Sequence, residues 1–193
     1  AFYNDASLNS TLDNFTLKIT YGRDILIKNC IFGSDHARKN LFTSRGMILV
    51  GPNLELAKTY IDSCFFVTTS SSIEIRNSRC EISHNLFGAL DTNKITSFLD
   101  PLHAIILSGN EKCQIFNNFF FGQTVSGIKV TDYSSHCDIF KNRFCNSKLD
   151  MEFVGYSKGE FSVSDNYARD GGDFLHVDML GPFSLFVQNN NLS

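Results

Sequence analysis

The sequence lacks several things. No apolar run approaches the length needed to span a membrane. Neither sign of charge dominates, with Lys+Arg 17 against Asp+Glu 20. A nucleic-acid binder usually shows a clear basic excess, so this balance argues against one. The six cysteines form no C-x-x-C or similar short-spaced pair, which argues against a metal site; neither a metal nor a cofactor is implied. Tryptophan is absent. Ala1-Phe-Tyr-Asn carries neither a start methionine nor a signal-peptide pattern.

What is there is a repeat. Cys113-Gln-Ile115-Phe-Asn-Asn118-Phe-Phe120 is followed by Cys137-Asp-Ile139-Phe-Lys-Asn142-Arg-Phe144. Phe161-Ser-Val163-Ser-Asp-Asn166-Tyr-Ala168 and Leu185-Phe-Val187-Gln-Asn-Asn190-Asn-Leu192 come next. Each block reads apolar-x-apolar-x-x-Asn-x-apolar, and successive blocks start 24 residues apart. The frame extends backwards through Cys80/Ile82/Asn85/Phe87, Thr59/Ile61/Cys64/Phe66 and Ile25/Ile27/Cys30/Phe32. The second slot falls at 27, 61, 82, 115, 139, 163 and 187, with steps of 34, 21, 33, 24, 24 and 24. The two longer early steps are what surface loops inserted into a repeat produce.

A second short pattern precedes each block. Phe15-x-Leu17, Met47-x-Leu49, Ile73-x-Ile75, Ile105-x-Leu107, Ile128-x-Val130, Met151-x-Phe153 and Leu175-x-Val177 alternate with period two. Such alternation predicts short half-buried strands with their apolar residues inward. Two or more strands per 24 residues, with no helical period between them, predict a coiling chain whose equivalent strands stack in parallel. One domain over 1–193 follows.

This pattern resembles the right-handed parallel β-helix of the pectin-lyase-like superfamily, over nearly the whole chain and about seven coils. The resemblance implies an all-β, single-stranded fold. It implies a carbohydrate-binding or carbohydrate-cleaving protein acting on an extended polysaccharide, as in polysaccharide lyases, glycoside hydrolases and phage tailspikes. The alternative is a non-catalytic stalk or assembly module. Well-known catalytic subfamilies are not supported. Without tryptophan the Trp-x-Asp-His motif of pectate lyases cannot occur, and the polygalacturonase Gly-His-Gly and Asn-Thr-Asp motifs are missing. Asp100-Pro101-Leu102-His103 resembles the Asp-Pro-His signature of mannuronan epimerases with an extra Leu that breaks the alternation.

Stacking puts like on like. The Ile/Val slot and the Phe slot (residues 32, 66, 87, 120 and 144) read as core. The Asn row reads as a hydrogen-bonded scaffold ladder. Cys80, Cys113 and Cys137 share one slot, and Cys30 and Cys64 another, as buried free thiols. Free thiols point to folding in a reducing compartment, with the extracellular space or a virion surface as the favoured location. The last repeat stops in mid-coil at Ser193. The expectation is a fragment of a longer protein, or one capped by a partner, a further chain or a homotrimer's symmetry mates.

Two places carry candidate chemistry. The loops 33–45 and 88–103 flank a short Ser/Thr stretch and would wall a groove about 10 Å wide. His36, Arg38, Lys39, Arg45 and Lys94 would bind anionic sugar groups there, with Asp91, Asp100 and His103 as acid/base groups. Solvated loop charges are the competing reading. The second place is an outward column, Lys129, Glu152 and His176, with Asp150 and Asp178 beside it. It reads either as catalytic or as a charge ladder. Phe116 and Phe140 point outward one coil apart, with Phe186 nearby. They read as a sugar platform or a packing interface.

Overall fold

The computed structural model describes residues 15–19, 24–32, 46–50, 58–67, 71–76, 78–88 and 103–193. All regular structure among them is β, and every strand pair is parallel. The chain is a parallel β-solenoid with three seven-stranded sheets. Sheet 1 holds β1 (Phe15–Ile19), β4 (Gly46–Val50), β7 (Ser71–Arg76), β10 (His103–Ser108), β13 (Ser126–Thr131), β16 (Leu149–Tyr156) and β19 (Asp173–Leu180). Sheet 2 holds β2 (Ile25–Lys28), β5 (Lys58–Asp62), β8 (Arg79–Ser83), β11 (Glu111–Phe116), β14 (Ser135–Phe140), β17 (Gly159–Ser164) and β20 (Phe183–Gln188). Sheet 3 holds β3 (Ile31–Phe32), β6 (Phe65–Phe66), β9 (Leu86–Phe87), β12 (Phe119–Phe121), β15 (Arg143–Cys145), β18 (Tyr167–Arg169) and β21 (Asn191–Leu192).

The apolar-x-apolar blocks form sheet 2, and the slots come into register as the repeat requires. Ile27, Ile61, Ile82, Ile115, Ile139, Val163 and Val187 are successive partners. A β-branched side chain suits this buried pleated face. The sheet-3 phenylalanines stack face to face: Phe32–Phe66, Phe66–Phe87 and Phe87–Phe120 have ring centroids 4.9 Å apart, and Phe120–Phe144 4.7 Å. All five rings are fully buried.

Between sheets 2 and 3 the chain turns through one left-handed residue per rung. Asn29, Ser63, His84, Asn117, Lys141, Asp165 and Asn189 all have φ of 54–56°. The next residue is the Asn slot. Asn85, Asn118, Asn142 and Asn166 each donate Nδ2 to the Oδ1 of the next asparagine at 3.0–3.1 Å, ending at Asn190. Each also donates to a carbonyl, as Asn118 does to Ile82 at 2.8 Å. Each Oδ1 also takes a backbone N–H from one rung back, as Asn142 does from Asn118 at 3.0 Å. The ladder satisfies buried polar groups that the turn would otherwise orphan.

All six cysteines are free; Cys80, Cys113 and Cys137 are buried and in register.

Sheet 1 departs from the expected phase at its start. The register partners of Ile73 and Ile75 are Ile48 and Val50, not Met47 and Leu49. Leu17 and Ile19 pair with Ile48 and Val50 and pack against the core. The run Gly46-Met-Ile-Leu-Val50 is apolar at four consecutive positions. Alternation alone cannot choose its phase, and a slip of one residue exchanges the two faces.

Strict alternation also fails where the chain enters sheet 1. Ser126, Gly127 and Ile128 are all buried, as are Asp150 and Met151. A Cβ on Gly127 would lie 2.8 Å from the Asp150 carbonyl oxygen and 2.9 Å from the Phe144 ring. Glycine lets the backbone bend in against the core here.

Candidate functional site

Most of the loop residues singled out in the sequence, His36, Arg38, Lys39, Arg45, Asp91, Lys94 and Asp100, lie outside the described residues. His103 opens β10. Its Nδ1 lies 2.7 Å from Ser126 Oγ, and burial with the nearby Lys129 charge holds it below the usual imidazole range.

Lys129, Glu152 and His176 do form one column of sheet 1. Lys129 Nζ lies 3.3 Å from Glu152 Oε2, while His176 is exposed on the next strand. Backwards the column runs through Ile106 and Glu74. Asp150 does not flank this outward column. It is 4 % exposed, and burial raises its carboxyl to about 7, with the Ser147 hydroxyl opposing. The bend at the sheet-1 entry turns it inward.

The outward aromatics are on sheet 2, a different face. Phe116 and Phe140 are register partners, both half-buried, with centroids 4.9 Å apart and planes within 7°. Phe116 lines a groove of about 590 Å³, together with Lys28, Tyr60, Asp62, Glu81 and His84 among others.

The groove holds a connected polar cluster that sequence reasoning missed. Asp62, at the end of β5, takes Lys28 Nζ on Oδ2 at 2.9 Å. Its Oδ1 accepts from Ser83 Oγ at 3.2 Å and meets His84 Nδ1 at 3.0 Å. The Lys28 hydrogen bond, aided by His84 and Ser83 against a burial penalty, lowers the Asp62 carboxyl to about 2. On the far side of the imidazole, Asn117 Nδ2 lies 3.3 Å from His84 Nε2. An amide donor there makes Nε2 the acceptor, so the ring proton sits on Nδ1 and is donated to Asp62. The ring also stands edge-on to Phe116, with centroids 5.9 Å apart. Left-handed turns put both His84 and Asn117 at the rim.

This is a carboxylate-oriented histidine with an acceptor nitrogen beside an aromatic surface. The Nε2 lone pair is taken by Asn117, so the ring accepts a hydrogen bond or a proton from a hydroxyl in the groove only once that amide turns aside. On the adjacent column Lys58 Nζ bonds Glu81 at 2.8 Å and sits 4.5 Å from the Tyr60 ring centre. The signal for the cluster was in the repeat. Asp62 directly follows slot residue Ile61, and His84 stands two after Ile82, so the frame puts them on neighbouring rungs at diagonal positions. Among the described residues no group of three or more His, Cys, Asp or Glu side chains is placed to hold a metal ion.

No protein-family profile, curated protein or solved structure matches this chain.

Proposed function

We propose that this solenoid recognises a saccharide chain in the sheet-2 groove. The observation that carries the reading is the stacked, half-buried Phe116–Phe140 pair, whose Phe116 ring lines a groove with a cluster of hydrogen-bonding groups. The apolar face of a sugar ring packs on aromatic rings, and its hydroxyls need polar partners at the rim. Lys28, Asp62, His84 and Asn117 supply these. Kinship with the pectin-lyase-like superfamily is part of the same proposal. The parallel sheets and the asparagine ladder support it.

The test is a panel of acidic and neutral polysaccharides, read by thermal shift, by absorbance of unsaturated products and by reducing ends. Binding that is lost in Phe116→Ala supports the reading. Turnover lost in His84→Ala makes the groove catalytic. Silence in every channel overturns the proposal.

A further inference from the structure

A second cleft, of about 380 Å³, opens on the same sheet beside the groove. Its lining is basic: Lys58, Arg79, Lys112 and His136, with Gln114 and Asp138. The four basic residues form one row across four consecutive strands. Lys58 pairs with Arg79. Lys112 precedes Cys113, the partner of Cys80, and so follows Arg79. His136 stands beside Lys112, between the pairs Glu111–Ser135 and Cys113–Cys137. Successive members are one strand spacing apart, about 4.8 Å.

Stacking like charges in register is unfavourable unless something lies between them. Only part of this row is neutralised within the protein. Lys58 is bonded to Glu81, while Arg79, Lys112 and His136 make no ion pair among the described residues. Asp138 is the one carboxylate in the lining. Arg79 Nε is buried with no acceptor among the described residues, an unusual state for a guanidinium donor. Lys112 and His136 both sit in left-handed backbone, at φ 54° and 53°. A Cβ on Gly159 would lie 3.3 Å from the His136 ring, so the absence of a side chain at 159 leaves that ring its place.

We propose that this cleft binds an oxyanion ester group, a sulfate or a phosphate. A tetrahedral oxyanion presents several oxygens at once and suits a guanidinium fork flanked by point charges. The group comes either on a saccharide lying across both depressions or as a free anion. The inference stands without the saccharide reading.

The experiment uses the whole chain. Thermal shift and calorimetry are run with sodium phosphate and sodium sulfate against sodium chloride at equal ionic strength, then with dextran sulfate against dextran. The comparison proteins are Lys112→Ala/His136→Ala and Phe116→Ala, each checked by circular dichroism for the native fold. A saturable response to phosphate or sulfate that weakens at least tenfold in the double variant, and survives Phe116→Ala, establishes the cleft with a free anion. A response to dextran sulfate alone, with the same loss in the double variant, establishes it with the ester on the polymer. Equal responses to chloride, an undiminished response in the double variant, or no response to any of these probes overturns it.

Discussion

His84 Nδ1 and Asp62 Oδ1 lie 3.0 Å apart although 22 residues separate them in the chain. They meet because β5 and β8 are parallel neighbours in register, and because a left-handed turn residue follows each strand. The pair, with Lys28 and Ser83 on the same carboxylate, decides how the groove responds to acid.

The Asp62 carboxyl is lowered in the fold from 3.8 to about 2. A lowered carboxyl adds stability that is present above its unfolded value and lost as pH falls through the folded one. Between pH 4 and pH 2 the wild type therefore loses this contribution. Urea unfolding across that range will show a shallower loss in Asp62→Asn, which is the less stable protein at pH 6.

Asp150 behaves in the opposite sense. Its carboxyl is raised from 3.8 to about 7, chiefly by burial. The folded state keeps the proton longer than the unfolded one, so this group's contribution to stability is fully present below pH 4 and is lost as pH rises to 7. Asp150→Asn removes this slope. At pH 8 the variant melts several degrees above wild type, at about 2–4 °C per kcal/mol for a chain of this size. At pH 4 the difference largely disappears.

The asparagine ladder makes position matter more than residue type. Asn118→Ala strands buried partners on both sides, at Asn85, Ile82 and Asn142. It costs about 3 kcal/mol in chemical denaturation. Asn190→Ala affects fewer and less buried groups, and costs about 1 kcal/mol. Equal losses at the two sites would show that the ladder bonds add nothing beyond the strand pairing.

Two phenylalanine stacks with the same 4.9 Å spacing differ in burial, one inside the solenoid and one on its outer face. Phe120→Ala opens the fully buried column and costs about 3–5 kcal/mol. Phe116→Ala removes a half-buried ring, costs about 1 kcal/mol and, on the proposed reading, abolishes saccharide binding. Denaturation and binding measured on both variants separate core from platform.

The sequence by itself determined the solenoid and its interior. Ile61, Ile82, Ile115 and Ile139 stack because a fixed step and a period-two pattern leave one register that buries them together. The Asn118 and Asn142 row and the Phe87–Phe120 column follow from the same frame, and so does the Lys129–Glu152–His176 order. What repetition could not convey is which outward neighbours turn towards each other. Asp62 and His84 meet diagonally, through a left-handed turn that the slot pattern does not mark. Asp150 carries the same residue type as an outward acid, yet the bend beside Gly127 sends it inward. In the run Gly46–Val50, the apolar content of both faces left the phase to be chosen by the neighbouring strand. Strand stacking is a one-dimensional rule that a sequence can spell out. The chemistry of a groove depends on bends and diagonals, which only the tertiary structure decided.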